Sequence, residues 1–129
     1  MSINGVSTDI STRYLYGDGT SASTGSLGGN GFMHDVPAAN STANTFSNTS
    51  YYFANYRSSR PKSFNQEVTN ENNGSSTYMM LQAGLWNPST NGAISTITLT
   101  ATDSSNFLQN SSATLYGISA GNDSTTVVS

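Results

Sequence analysis

The stretch TYMMLQAGLW, residues 77–86, decides the fold class of this chain. Apolar residues occupy both of its alternating sets of positions, and no residue in it is charged. The turn-forming run NENNGSS, residues 70–76, precedes it, and NPSTNGA, residues 87–93, follows it. A short apolar run between turn signals is typical of a strand that is covered on both faces. Residues 77–86 are therefore predicted to form a central strand.

Similar short runs, separated by turn residues, continue along the rest of the chain. They are STRYLYG (11–17), FMHDV (32–36), SYYFANYR (50–57), KSFNQEVT (62–69), ISTITLTAT (94–102) and ATLYGIS (113–119). No window has the apolar period of a helix. The pattern predicts an all-β fold, an antiparallel, jelly-roll-like β-sandwich of about seven or eight short strands.

The chain is predicted to be a single β domain over residues 1–129, with its best-defined part at 51–119. The stretch DGTSASTGSLGGNG, residues 18–31, is predicted to be a long surface loop, because its small residues offer little packing to offset the entropy of ordering. Residues 1–10 and 120–129 hold few large apolar side chains and are predicted to be arms or flexible tails.

The composition excludes several classes of function. Ser, Thr and Asn number 23, 17 and 15, whereas charged residues make up only 9% of the chain. A net charge of -3 argues against nucleic acid as a partner, since phosphate contacts need clustered Lys and Arg. No apolar run is long enough to span a membrane. The absence of Cys removes disulfides and thiolate chemistry. With few charges to repel neighbouring copies, self-association is plausible.

No set of residues in the sequence suggests catalysis. His34 beside Asp35 has neither a second His nor a Cys to complete a metal site, which favours a structural His. Asp18, in YGDGT, lacks the spacing of a calcium loop and is better explained by a turn. We predict no catalytic residue, no metal site, no cofactor and no enzymatic activity.

Two clusters have both a functional and a structural interpretation. Arg57, Arg60 and Lys62 form a basic group that could contact an acidic partner or an anionic glycan; alternatively, they are solvated, paired with Glu67 or Glu71. A second cluster, the three aromatics Trp86, Tyr78 and Tyr116, could stack on a carbohydrate. Because aromatic residues also fill sandwich cores, the core is favoured for Trp86.

The second half of the chain resembles a module of tailed-phage structural proteins. The match covers residues 51–119 and begins with the strand YYFANYR followed by RPKSF. The pattern G-x-W, then A-I-x-x-I-x-L, then N-F, then S-x-x-x-L-Y-G-I closes the module. The residues that carry it are Gly84, Trp86, Ala93, Ile94, Ile97, Leu99, Asn106, Phe107, Ser111, Leu115, Tyr116, Gly117 and Ile118. In that family the module is a jelly-roll-like β-sandwich.

The resemblance implies a virion protein that binds rather than catalyses. We expect a capsid cement (decoration) protein that is made in the host cytoplasm and lies on the outer capsid surface. Its expected partners are the major capsid protein and copies of itself, with which it would form a homotrimer. The alternative is a receptor- or glycan-binding tip of a tail fibre or spike, and a polysaccharide-degrading enzyme is a weaker third. In the closing segment, Phe107 is expected to anchor a turn and Leu115 to face the core. Tyr116 and Ile118 would face a neighbouring copy or sheet.

Overall fold

The computed structural model describes residues 1–29, 32, 37, 42–74, 77–90, 92–101, 107 and 109–118. These residues contain seven strands and no helix. The strands are β1 (Ser2–Ile3), β2 (Ile10–Gly17), β3 (Ala22–Gly29), β4 (Asn48–Phe53), β5 (Lys62–Asn70), β6 (Tyr78–Trp86) and β7 (Ile97–Thr98). Accordingly, no helix in this part of the chain is long and apolar enough to cross a membrane.

The strands form two antiparallel sheets. The main sheet has five strands in the order β3-β2-β6-β5-β4, and β1 pairs with β7 in a two-stranded sheet. The predicted central strand is central: Trp86 of β6 lies opposite Ile10 of β2 on one side and Lys62 of β5 on the other. Two antiparallel sheets of this size are consistent with a small β-sandwich, so the predicted fold class is confirmed.

One face of the main sheet, which we call the inner face, carries the hydrophobic core. The core cluster consists of Ile3, Ile10, Phe32, Phe64 and Trp86. Ile3 belongs to β1, and so the small sheet covers the end of the inner face where Trp86 lies. Trp86 is 1% exposed, in agreement with its expected place in the core.

Two glycines on the inner face leave room for aromatic rings from neighbouring strands. Gly84 of β6 lies opposite Phe64, and a Cβ at Gly84 would collide with the Phe64 ring. Gly25 of β3 lies opposite Tyr14, and a Cβ there would collide with the Tyr14 ring. Each ring packs over the backbone of the glycine, which has no side chain of its own to cover it. This packing stabilises the strand, which the glycine would otherwise destabilise.

The prediction of a long surface loop over residues 18–31 is wrong, because β3 occupies most of that stretch. β3 pairs with β2 along its whole length, and these backbone hydrogen bonds order it without side-chain burial. The Asp18 carboxylate closes the hairpin by accepting hydrogen bonds from the backbone N–H groups of Ser21 (2.7 Å) and Thr20 (2.8 Å). These bonds, Ser21 first, hold the pKa of Asp18 below its usual value.

The N-terminal residues are part of the fold, which corrects the expected arm over residues 1–10. Asn4 ties β1 to the segment before β7. Its side-chain Nδ2 donates a hydrogen bond to the Ala93 carbonyl (2.8 Å), and its Oδ1 accepts from the backbone N–H groups of Ser95 (2.9 Å) and Thr96 (3.1 Å). One side chain therefore joins parts of the chain about ninety residues apart. Residues 120–129 lie outside the described residues.

The closing strand predicted over residues 113–119 does not form in the described part of that stretch. Residues 109–118 contain no strand, and each residue from 111 to 118 is exposed. Leu115 does not face the core, since it is 79% exposed. Phe107, the expected anchor of the turn, is 48% exposed. A strand needs a neighbouring edge, and none of the seven described strands is hydrogen-bonded to this segment.

Candidate interaction surfaces

The three basic residues predicted to contact a partner occupy different environments. Arg57 and Arg60 are exposed, whereas Lys62 is buried at 1% exposure. Within the described ranges, neither arginine forms an ion pair with Glu67 or Glu71. Arg57 and Arg60 are therefore exposed cations near the β4–β5 turn, whereas Lys62 is buried.

Lys62 acts inside the fold. Its Nζ donates hydrogen bonds to the backbone carbonyls of Ser58 (2.8 Å), Arg60 and Gly92 (3.0 Å). The same ammonium lies 5.9 Å from the centre of the Trp86 ring, within range of a cation–π interaction. Burial lowers the pKa of Lys62, while the three carbonyls favour its charged form. Lys62 is thus a structural cation rather than a surface contact.

The aromatic platform considered for carbohydrate does not assemble. Trp86 is in the core, whereas Tyr116 is 83% exposed. Tyr78 packs against Tyr16 instead, with ring centroids 6.0 Å apart. The three aromatics considered for stacking therefore have three different surroundings.

Metal-binding side chains do not cluster in the part of the chain that the structure describes. No group of three or more His, Asp or Glu residues there could hold a metal ion. His34 and Asp35, the pair weighed as a site, lie outside the described residues.

The second face of the main sheet, which we call the open face, is apolar along its centre, and no strand among the described residues covers it. Leu15, Met79, Leu81 and Leu85 point outward here and are 40–58% exposed. Ala83, also exposed, lies between Leu81 and Leu85. The sequence predicts β6 to be covered on both faces, and that prediction is wrong for the described part of the chain, in which the outward residues of β6 are exposed. Antiparallel sheets with one solvated face ordinarily carry polar residues there.

Opposite charges flank the apolar centre of the open face. Arg13 of β2 lies opposite Ala83 of β6, and Glu67 of β5 lies opposite Leu81. The two charges therefore stand on opposite sides of β6. A shallow hollow of about 430 Å³ lies between them. Its outward-facing lining residues are Arg13, Leu15, Asn65, Glu67, Leu81 and Ala83.

The second uncovered apolar surface is the segment of residues 111–118, which we call the C-terminal segment. Leu115, Tyr116 and Ile118 are 79%, 83% and 76% exposed. The segment forms no hydrogen bond with any described residue. It passes beside Tyr56, whose hydroxyl would lie 3.5 Å from a Cβ at Gly117. It has the sequence of a strand, but it pairs with none of the strands that the structure describes.

A scan against protein-family models, a search of curated proteins and a search of solved structures each found no match.

The sequence pattern indicates two of these findings, the buried position of Lys62 and the apolar open face of β6. Lys62 is in phase with Phe64, Gln66 and Val68 of β5, and all four are buried on the inner face. That alternation indicates an inward lysine, although its charge suggested a surface position. The apolar residues on both faces of β6 likewise indicated a second covered face, but not that another molecule must provide the cover.

Proposed function

We propose that this chain is a non-enzymatic structural protein of a phage virion. In this proposal it is a capsid cement protein that binds over junctions between capsid subunits and stabilises the shell. The observation that carries the proposal is the C-terminal segment. Its residues Leu115, Tyr116, Gly117 and Ile118 carry the phage-module resemblance, and they are exposed rather than used in the core.

An extended segment of this kind is suited to strand addition. Its backbone groups form no hydrogen bond with any residue that the structure describes, and its apolar side chains are exposed. Pairing with an exposed sheet edge of another protein would satisfy both, because main-chain hydrogen bonds supply affinity and alternate side chains supply specificity. The major capsid protein is the proposed owner of that edge.

The scarcity of charge fits a binding role of this kind. With 9% charged residues, the surface offers mainly hydroxyl and amide groups, whose individual contacts are weak. A shell that presents many equivalent sites turns weak contacts into firm attachment through avidity. Trp86, on which glycan stacking would most naturally rest, lies in the core, so cement is preferred to a glycan-binding tip.

Copy number tests the proposal directly. Quantitative mass spectrometry of purified virions should find on the order of hundreds of copies of the chain per particle, because the copy number of a cement protein is set by the number of its binding sites on the capsid. About a dozen copies would contradict the proposal and favour a position on the tail.

The C-terminal segment supplies a sharper test. We expect the triple variant L115S/Y116S/I118S to keep the thermal midpoint of the wild type, because all three side chains are exposed. It should no longer co-sediment with capsids stripped of the chain. The matched control is Phe46→Ser, which removes an aromatic side chain that is 60% exposed elsewhere and should leave binding unchanged. Capsid binding by the triple variant at wild-type strength would refute the role of the segment.

A further inference from the structure

We propose that two copies of this chain pair through the open face, sheet against sheet, about a two-fold axis that runs beside β6. The occupant of the open face is thus a second copy of the chain. The inference goes beyond the cement proposal and does not rest on it, because it uses different residues on a different surface.

The first argument is the composition of β6. Its inner residues, such as Met80 and Trp86, are 1% exposed, while Met79, Leu81 and Leu85 face water. A contiguous exposed apolar patch of this kind marks an interaction site in most soluble proteins. The patch runs along the central strand, where a partner sheet would exclude water most completely.

The second argument is area. Five strands about 4.8 Å apart and about eight residues long, at roughly 3.4 Å per residue, give a face of roughly 600 Å². Stable interfaces bury about 800 Å² of accessible surface per partner, and the accessible surface of a side-chain-covered face exceeds its flat area. Sheet-on-sheet packing of the whole open face is therefore large enough for a stable dimer.

The third argument is charge complementarity. A two-fold axis along β6 exchanges the β2 side of the sheet with the β5 side. It therefore brings Arg13 of one copy over the part of the other copy that holds Asn65 and Glu67. The contact occurs twice, once on each side of the axis. Arg13 Nη1 donates a hydrogen bond to the Thr12 carbonyl (3.0 Å), but neither Arg13 nor Glu67 forms an ion pair with a described residue of its own chain.

The two-fold arrangement separates this inference from the trimer that the phage resemblance implies. Only a two-fold interface places one patch against the same patch of a neighbour, whereas a three-fold ring joins two different patches. The open face is complementary to itself, because its apolar centre lies on the axis and its opposite charges lie on either side. It therefore predicts a dimer.

Charge reversal in the full chain tests the arrangement, with sedimentation equilibrium over a concentration series as the measurement. The wild type should be a dimer. R13E and E67R alone should each weaken dimerisation by at least about tenfold, since like charges then meet twice across the axis. The double variant R13E/E67R should regain the wild-type affinity. An equimolar mixture of the two single variants should form a mixed dimer, because both of its cross-axis pairs are then opposite in charge.

Controls separate this outcome from unfolding and from the C-terminal segment. R57E and E71R reverse exposed charges elsewhere and should leave the dimer intact. Far-UV circular dichroism of every variant should match that of the wild type, because the substituted side chains face outward. The inference is overturned by a monomer at all concentrations, by a trimer, or by a dimer that R13E and E67R do not weaken. It is also overturned if L115S/Y116S/I118S abolishes the dimer, since the C-terminal segment would then be the occupant.

Discussion

The two faces of β6 have similar residues but opposite surroundings. On the inner face, Trp86 and Met80 are each 1% exposed, and Trp86 packs in the core cluster with Ile3 of the small sheet and with Phe64. On the open face, Leu81 and Leu85 lie in water although they are just as apolar. The comparison shows that hydrophobic pattern fixes which residues can be buried, while the available neighbours decide which ones are. Substitutions on the two faces should therefore have very different effects on stability.

Trp86 and Leu85, adjacent on β6, should give the largest difference. Trp86→Ala removes the largest buried side chain of the core and should lower the free energy of unfolding by about 3–5 kcal/mol. Leu85→Ala should cost less than about 1 kcal/mol, because Leu85 is already 40% exposed. Urea unfolding, at a protein concentration too low for self-association, measures both losses in the free energy of unfolding. Equal losses would show that the open face is covered within the single chain.

Substitutions that add methyl groups at Gly84 and at Ala83 test the same difference between the inner face and the open face. Gly84→Ala places a Cβ where the Phe64 ring lies, and displacing that ring should cost about 2–3 kcal/mol. Ala83→Val adds bulk on the open face and should change stability by no more than about 0.5 kcal/mol, because Ala83 is exposed. A neutral Gly84→Ala substitution would mean that Phe64 does not pack against β6.

Lys62 should give the smallest of these effects. Lys62→Met leaves three backbone carbonyls without their donor and should cost about 1–2 kcal/mol. Arg60→Met, the matched exposed control, should change stability by less than about 0.5 kcal/mol.

The lowered pKa of Lys62 predicts the direction in which the free energy of unfolding changes with pH. Because burial lowers the pKa of Lys62 in the folded state, the unfolded chain binds more protons between that pKa and the ordinary value of 10.5. Stability from this group should therefore rise with pH in that window. The rise should be absent from Lys62→Met when unfolding curves of the two proteins are compared between neutral and alkaline pH. An identical pH profile would show that Lys62 is not desolvated.

The parts of the fold that were predictable were those with a strong local pattern. β5 was expected at 62–69 and lies at Lys62–Asn70, and β6 was expected at 77–86 and lies at Tyr78–Trp86. Alternating or continuous apolar residues between turn residues are sufficient for such strands. β3 was missed because Gly, Ser and Thr give no apolar period, and its order comes from pairing with β2 and from the Tyr14 ring.

The candidate surfaces were less predictable than the strands. Arg57 and Arg60 are exposed as a contact role requires, but the same basic group includes Lys62, which the phase of β5 turns inward. The C-terminal segment has strand propensity but pairs with no strand in the described part of the chain. Propensity for extended structure is local, whereas pairing requires an edge contributed from elsewhere.

The sequence by itself determined the all-β class, the turns and the two best-defined strands, because alternation and turn chemistry act over a few residues. Only the tertiary structure decided which face of β6 is buried, that Lys62 binds three carbonyls, and that residues 111–118 pair with none of the described strands. Those outcomes depend on contacts between residues far apart in the chain, such as β1 with β7 and Lys62 with Gly92. Local preferences cannot encode such contacts, because each of them requires a surface that forms only when the sheet assembles.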